Sequence, residues 1–304
     1  MRVNGWVLLF ASLIGLSACG PQLGSLQRGE SGRVARVING DTLQLDSGMR
    51  VFLAEVDAPR RDEPYASQSY GELEALALHR KVLLAYGGTR RWVRHARDAQ
   101  PQTHANAQLS TALPNPADTA AIAQVFVQSE GGRWFWLQNA LVARGAVMVR
   151  PRFDNHARTA ELLNTEAQAR AASRGLWAQP AYQPLAVRAA AALAERGAAP
   201  CTRGDAPYRM IQGSVHDAQV LDSRAALSMD GAAEDKPFSI VLFGDAFTHW
   251  DGPPLTSLTG ARIRVRGTLG VFHDQAQICL DDSRQLEVLH GAAAQAPARP
   301  QSPT

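Results

Sequence analysis

Val37-Ile38-Asn39-Gly40-Asp41-Thr42 is the stretch that decides the fold of this chain. Asn-Gly and Gly-Asp dipeptides between alternating apolar residues are typical of a tight β-hairpin. The alternation is carried by apolar side chains on both sides of the turn, namely Val34, Val37, Leu43 and Leu45. A further apolar run from Met49 to Val56 extends the hairpin, so the sequence predicts a meander of three strands whose first turn lies at Gly40.

The elements that follow the meander are predicted in the order helix, two strands, two helices. Apolar spacing and Gly stop signals place them at Ser69–Leu78, Val82–Tyr86, Ile122–Val127, Trp134–Arg144 and Thr159–Arg174. A hairpin sheet with late helices is typical of a five-stranded, partly open barrel of the OB type. The interpretation of residues 33–178 is therefore one such barrel with three helices.

A second β pattern follows a spacer rich in Pro and Ala. Residues 179–204 are predicted to be a partly helical linker, residues 205–290 a second OB-fold-like domain, and residues 291–304 a disordered tail. The strand candidates of the second domain are Met210–Val215, Phe238–Phe243, Arg262–Leu269, Gln277–Leu280 and Gln285–Leu289. The predicted fold class is mainly β with α-helices (α+β), built from two five-stranded barrels.

The N-terminus has the sequence pattern of an export signal. Arg2 precedes an apolar run from Trp6 to Leu16, and the small residues Ser17 and Ala18 precede Cys19. Leu16-Ser17-Ala18-Cys19 resembles the lipobox of bacterial lipoproteins, which implies a signal peptide over residues 1–18 and acyl chains, including palmitate, on Cys19. Residues 19–32 are then a flexible tether from the membrane. The expected location is the cell envelope, at the outer membrane if the cell has one.

Charge and cysteine content are only weak indications of nucleic-acid binding and of a disulfide. The formal net charge is +3, and all but two of the 31 basic residues are arginine, which suits phosphate contacts without demanding them. Beyond Cys19 the chain contains only Cys201 and Cys279. An exported protein permits a disulfide between them, but two separate buried thiols fit the sequence equally well.

Residues 87–119 are a polar insertion with a basic run. Its charged and aromatic side chains could contact the phosphate backbone of nucleic acid or anionic lipid headgroups, or form a solvated basic face. The candidate contact residues are Arg90, Arg91, Trp92, Arg94 and Arg97.

Two aspartates are the candidate metal ligands. Asp41 lies on the hairpin turn, and Asp57 lies in Val56-Asp57-Ala58-Pro59, where a strand ends. Carboxylates at a turn and a strand end can converge on a hard cation such as Ca²⁺, although both residues would also fit ordinary Asx turns.

The wider sequence resembles the staphylococcal nuclease (thermonuclease) family. The resemblance covers residues 33–178 and rests on motifs that occur in order after the aspartates: Leu141-Val142-Ala143-Arg144-Gly145-Ala146, Glu166-Ala167-Gln168-Ala169-Arg170 and Arg174-Gly175-Leu176-Trp177. In that family Ca²⁺ and two arginines stabilise the charge on a phosphodiester while a glutamate assists the attacking water. By resemblance, Asp41 and Asp57 are the metal ligands and Thr42 offers its backbone carbonyl.

Three of the five functional positions that the resemblance implies are substituted. Phe52 stands at the first arginine, Arg60 at the glutamate and Ala120 at the second arginine. Each lost transition-state donor costs about 10²- to 10³-fold in rate, and a lost general base about 10²- to 10⁴-fold. The candidate substitutes are Arg50 on the same strand face as Phe52, Glu63 as a displaced base, and Arg60 as a charge that replaces the metal. The insertion arginines, Arg90, Arg91, Arg94 and Arg97, are a further source of positive charge.

The leading functional hypothesis is a membrane-anchored, thermonuclease-like lipoprotein with impaired or absent hydrolysis. It would bind single-stranded DNA or RNA, or act as a scaffold for an envelope protein partner. The first alternative is an active Ca²⁺-dependent nuclease that acts on extracellular or periplasmic DNA or RNA. The second is a structural envelope protein that does not contact nucleic acid.

Overall fold

The computed structural model describes residues 20–89, 92–94, 119–197, 199–201, 206–231 and 237–289. It is a mixed α/β fold, and the described residues contain two seven-stranded sheets and five α-helices. The elements of the N-terminal region are β1 (Gln27–Asn39), β2 (Thr42–Leu45), β3 (Arg50–Leu53), β4 (Val56–Asp57), α1 (Ala66–Ala77), β5 (Lys81–Tyr86), β6 (Trp92–Arg94), β7 (Thr119–Gln128), β8 (Trp134–Trp136), α2 (Leu137–Ala143), β9 (Met148–Val149) and α3 (Thr159–Ala171).

The C-terminal region begins after two short 3₁₀ turns at Gly175–Ala178 and Pro180–Tyr182. Its elements are β10 (Leu185–Ala186), α4 (Val187–Gly197), β11 (Tyr208–Leu221), β12 (Arg224–Met229), β13 (Ser239–Phe243), α5 (Asp245–Thr248), β14 (Arg262–Phe272), β15 (Gln275–Cys279) and β16 (Leu286–Val288). Further 3₁₀ turns lie at Leu255–Leu258 and Ser283–Gln285.

The first sheet has the strand order β3-β2-β1-β5-β7-β6, and β8 also pairs with β7. An additional parallel pairing joins β3 to β7. The short strands β4 and β9 form an antiparallel pair of their own. The core under this sheet contains aliphatic side chains from the strands and from all three helices, among them Leu43, Val51, Leu73, Leu141 and Leu162. Burial of this apolar surface holds the helices against the sheet.

The second sheet has the order β10-β11-β12-β13-β15-β14-β16, with an additional pairing between β11 and β14. Its core includes Ile211, Ile240, Val265 and Ile278. The helix α4, which lies in the span predicted as a partly helical linker, packs onto this core through Val187 and three alanines. The four buried residues recur at the i, i+3, i+4 and i+7 positions of the helix, which places them on one narrow apolar face.

Several predicted boundaries in the N-terminal region were wrong. Gln27 to Gly32 were predicted as tether but form the first half of β1, which pairs with β5 through backbone hydrogen bonds that need no apolar pattern. The third strand is interrupted at Glu55, whose φ of 65° breaks the extended backbone. The helix predicted from Trp134 starts only at Leu137, because Trp134–Trp136 pair with β7.

The C-terminal region also differs from prediction. Its first strand, β11, runs on to Leu221 and turns back as β12, a strand that the sequence analysis missed. The alternating pattern of β12 is short, Arg-Ala-Ala-Leu-Ser-Met, and its alanines made it unlike the β-branched runs that mark strands. The insertion of residues 87–119 contains β6, and its last residue, Thr119, begins β7.

Candidate functional site

Asp41 lies at the tip of the β1–β2 hairpin and is fixed by local hydrogen bonds. Its backbone NH donates to Oδ1 of Asn39 at 3.0 Å. The preceding glycine is required by close packing, because a Cβ on Gly40 would lie 2.1 Å from Oγ of Ser69 and 2.8 Å from Cβ of Ala58. The turn therefore brings Asp41 against the segment that carries Asp57.

The carboxylate of Asp41 is tied to that segment directly. Its Oδ2 accepts the backbone NH of Ala58 at 3.1 Å, and its Oδ1 accepts the hydroxyl of Thr42 at 2.8 Å. Burial, and after it the neighbouring charge of Asp57, raises the pKa of Asp41, while these two hydrogen bonds and Arg150 oppose the rise. The structure thus brings together the two aspartates that the sequence singled out.

Asp57 is paired with an arginine that the sequence analysis did not identify. Nη1 of Arg150 donates to Oδ1 of Asp57 at 2.7 Å, and both side chains are about four-fifths buried. The pairing of β4 with β9 places Asp57 opposite Met148, two residues before Arg150. Burial acts to lower the pKa of Arg150, but Asp57 and Asp281 outweigh it and the net shift is upward, so the guanidinium stays charged.

The C-terminal region completes the surroundings of Arg150. Its Nη2 donates to Oγ1 of Thr268 on β14 at 3.3 Å, and its guanidinium carbon lies 4.9 Å from the centre of the Tyr208 ring on β11. A cation over an aromatic face is attracted by the ring. The guanidinium is therefore held by groups from both regions of the chain.

Glu63, the suggested substitute base, is also engaged by the C-terminal region. Its Oε1 accepts Nη2 of Arg209 at 2.7 Å, and its Oε2 accepts the backbone NH of Arg60 at 2.8 Å. The guanidinium carbon of Arg209 also lies 5.3 Å from the centre of the Tyr182 ring. Both carboxylate oxygens of Glu63 therefore already accept hydrogen bonds from groups of the protein.

The two positions at which the resemblance implies an arginine, Phe52 and Ala120, lie on β3 and β7. Phe52 is 36% exposed, and Arg50 is exposed on the same face of β3. Ala120 is fully buried and pairs with Arg50 across the two strands. Among the described residues, no hydrogen bond or ion pair joins Arg50 to Asp41 or Asp57, so Arg50 is not positioned as part of the aspartate cluster.

A calcium ion does not fit the groups present at the aspartates. Ca²⁺ takes six to eight oxygen ligands, whereas the guanidinium of Arg150 already occupies the position beside Asp57 and carries a positive charge. Over the part of the chain that the structure describes, no three side chains from His, Cys, Asp or Glu converge as a metal-binding group. The sequence suggested Arg60 as the charge that replaces the metal; the cation paired with Asp57 here is Arg150.

A buried ion pair joins the two regions close to the site. Arg266 of β14 lies 2.7 Å from Oε1 of Glu166 on α3, and the two side chains are 7% and 0% exposed. Oε2 of Glu166 also accepts the backbone NH of Val149 at 2.7 Å. Glu166 belongs to a motif that the sequence analysis used only for the family resemblance, and its partner lies 100 residues away.

Glu55 is a second buried carboxylate that sequence reasoning missed. It accepts the backbone NH of Arg158 at 3.1 Å, the hydroxyl of Thr159 at 2.6 Å and the side-chain amide of Gln124 at 2.8 Å. Burial raises its pKa, and these donors oppose the rise. A carboxylate at the first residues of α3 also suits the positive end of the helix dipole. Glu55 therefore fixes the N-terminus of α3 to the strand segment before Asp57.

The remaining candidate residues are placed as follows. Cys201 and Cys279 form a disulfide with a Cα–Cα distance of 5.9 Å. Trp92 and Arg94 lie on β6, beside β7, whereas Arg90, Arg91 and Arg97 lie outside the described residues. Cys19 also lies outside them. Every helix in the described ranges is too short or too polar to cross a bilayer.

The N-terminal region is similar to a known family and to a protein of Escherichia coli. The model of the staphylococcal nuclease homologue family matches residues 50–179, a range that contains Asp57 but begins after Asp41. The protein ParB of Escherichia coli is 26% identical over 152 residues, which are 49% of this chain and 73% of ParB. The matched range ends at the first 3₁₀ turn, so the whole C-terminal region lies beyond it.

Proposed function

We propose that this protein binds single-stranded nucleic acid without hydrolysing it. Nucleic acid is the proposed ligand because residues 50–179 form a thermonuclease-like segment of the staphylococcal nuclease type. The observation that carries the proposal is the ion pair between Asp57 and Arg150 at 2.7 Å. Phosphodiester hydrolysis of this type needs a metal-bound or otherwise activated water next to positive groups that face the phosphate. A carboxylate neutralised by a fixed guanidinium supplies neither.

The other groups that hydrolysis would need are likewise engaged or replaced. Glu63 is held by Arg209, and Phe52, Arg60 and Ala120 occupy the positions where the family has its catalytic glutamate and arginines. The losses multiply, because each group acts in the same transition state, and one donor alone accounts for about 10²- to 10³-fold. We expect any residual cleavage to lie below detection.

A binding surface is supported by side chains on the outer face of β1–β3. Arg36, Gln44 and Arg50 pair in one row across the three strands, and Nη2 of Arg36 donates to Oε1 of Gln44 at 3.1 Å. Phe52, two residues from Arg50, offers an exposed ring. Basic groups beside an aromatic ring suit a single strand, whose phosphates and bases contact the two kinds of side chain separately.

The barrel interpretation belongs to this proposal. Five strands of the first sheet pair in a circuit, β1–β2–β3–β7–β5–β1, and five of the second pair in the circuit β11–β12–β13–β15–β14–β11. Such circuits are what OB-type barrels require, and OB-folds bind oligonucleotides on one face. Fold alone does not assign a ligand to the second sheet, so we assign the binding face to β1–β3 only.

We further propose that the protein works at the cell envelope, anchored through acyl chains on Cys19. The support is the lipobox-like Leu16-Ser17-Ala18-Cys19 after an apolar run. More than one acyl chain gives stable attachment. Metabolic labelling with palmitate, followed by membrane fractionation, tests this: Cys19→Ala should lose the label and leave the membrane fraction, and an unlabelled wild type found outside the membrane fraction would exclude the anchor.

Binding and cleavage are tested together on residues 20–304. The purified protein is incubated with fluorescently labelled single-stranded DNA and RNA, with CaCl₂ or with chelator, while anisotropy and fragment length are followed. We expect intact substrate in both conditions and binding that weakens with salt, with a reduced salt slope in Arg36→Ala/Arg50→Ala. Arg144→Ala is the matched control, since that arginine forms an exposed pair with Glu72 on another face.

The second candidate function is a Ca²⁺-dependent nuclease. It is favoured by one observation, that Asp41 and Asp57 remain neighbours through the Ala58 hydrogen bond. Calcium-dependent cleavage that Asp41→Ala abolishes would establish it and refute the non-hydrolytic proposal. Absence of both cleavage and binding would favour a structural role at the envelope.

A further inference from the structure

Positive charge beside the two aspartates is supplied from within the chain. Arg150 is four-fifths buried and lies 2.7 Å from Asp57, while Asp41 is bound to the next residue, Ala58. Because Ala58 directly follows Asp57, this hydrogen bond holds Asp41 beside the residue that is paired with Arg150. Two clustered carboxylates need a compensating cation when they are buried.

The backbone that carries Arg150 is fixed on two sides. On one side β9 pairs with β4, and the NH of Arg150 donates to the carbonyl of Glu55 at 2.8 Å. On the other side the carbonyl of Val149 accepts the hydroxyl of Tyr208 and Nη1 of Arg266, each at 3.3 Å. The side chain is then held by Thr268 and by the Tyr208 ring. These contacts leave the guanidinium little freedom to leave Asp57.

We propose that Arg150 is a built-in counter-ion that stands in for a divalent cation beside Asp41 and Asp57. A divalent cation bound to the same carboxylates would lie against a fixed positive charge, and this repulsion in a partly buried site excludes it. Removal of the charge of Arg150 then leaves Asp41 and Asp57 as a weak cation site. Whether the protein binds nucleic acid has no bearing on this cation chemistry.

The test compares two substitutions of Arg150 in the chain of residues 20–304. Arg150→Met removes the charge but keeps a long apolar side chain in the interface, and Arg150→Lys keeps the charge. CaCl₂ is titrated by calorimetry, and melting temperature is recorded with and without calcium. We expect Arg150→Met to bind calcium with a dissociation constant of about 10⁻⁴ to 10⁻³ M, as weak sites do, and to melt higher in calcium. Wild type and Arg150→Lys should show neither effect.

Two results would overturn the proposal. One is a folded Arg150→Met protein that binds no calcium, which would mean that the aspartates are not a latent cation site. The other is a wild type that binds calcium as tightly as Arg150→Met, which would mean that Arg150 excludes nothing. Asp41→Asn in the Arg150→Met background is the specificity control and should abolish the calcium response.

If Arg150→Met does not fold, a second pair of proteins tests the counter-ion proposal. Wild type and Asp57→Asn are then compared, and we expect calcium to shift the melting temperature of neither. A calcium shift in wild type that Asp57→Asn removes would contradict the proposal. Cleavage of nucleic acid is scored separately, so failure of the counter-ion proposal and failure of the non-hydrolytic proposal give different results.

Discussion

At the scale of single residues, the pKa of Glu55 makes stability depend on pH. Burial raises this pKa above its ordinary value of 4.5, so the folded state holds the proton more tightly than the unfolded chain. The stability that protonated Glu55 contributes is therefore complete below about pH 4.5 and is lost as pH rises through the raised pKa. Gln does not titrate, so we expect wild type to lose unfolding free energy relative to Glu55→Gln as the pH rises from 4 to 7. Denaturant titration across this range measures it, and a pH-independent difference would contradict the account.

Gly40 and Gly71 differ in the space available for a side chain, so Ala substitutions at the two positions distinguish the effect of close packing from that of backbone entropy. Gly40→Ala places a methyl group 2.1 Å from Oγ of Ser69, whereas Gly71, on the exposed face of α1, has no atom within 4 Å of the position of a Cβ. We expect Gly40→Ala to lower the unfolding free energy by about 1–3 kcal/mol, and Gly71→Ala to raise it by about 0.5–1 kcal/mol. Chemical denaturation measures both, and equal effects would refute the close contact at Gly40.

At the scale of elements, the pair Glu166–Arg266 joins α3 to β14. Removal of one partner leaves the other charged and buried, so we expect Glu166→Gln and Arg266→Met each to cost about 3–5 kcal/mol. The double variant should recover much of that loss, which a double-mutant cycle measures. The exposed pair Arg144–Glu72 serves as control and should couple by less than about 1 kcal/mol. Additive losses at Glu166 and Arg266 would mean that the two residues do not interact.

Local sequence predicted the elements better than the site. The hairpin and the positions of Asp41 and Asp57 follow from turn residues and alternation, which are short-range signals. Arg150 was missed because its partner Asp57 lies 93 residues away and no spacing marks such a pair. Arg209 and Thr268 were missed for the same reason, since only the docking of the C-terminal region brings them to the site. The break at Glu55 was missed because nothing in the strand pattern reveals a positive φ.

At the scale of the whole molecule, the N-terminal and C-terminal regions pack against each other and share one apolar cluster. One apolar cluster combines residues of both regions, namely Met148, Ala169, Leu176, Trp177, Tyr182, Tyr208 and Met210. Backbone and side-chain contacts extend it, including the NH of Phe153 to the carbonyl of Asp281 at 3.0 Å and His156 to Asp282 at 2.6 Å. The sequence had predicted two domains joined by a linker, and the extent of their contact was beyond it.

A truncated chain tests this shared core. We expect residues 20–179 alone to melt well below the full chain or to aggregate, because the cut exposes Met148 and Trp177 and leaves Glu166 without Arg266. Thermal unfolding and size-exclusion chromatography compare the two. A truncated chain that is monomeric and as stable as the full chain would show that the contacts between the regions contribute little.

The most direct measurement of the central claim is a crystal structure grown in MnCl₂, with anomalous diffraction to locate the metal. Mn²⁺ accepts the oxygen ligands that Ca²⁺ and Mg²⁺ use. We predict the guanidinium of Arg150 on Asp57, as in the ion pair at 2.7 Å, and no anomalous peak between Asp41 and Asp57. A manganese ion bound to both aspartates, with Arg150 displaced, would contradict the account and support the second candidate function, a metal-dependent nuclease.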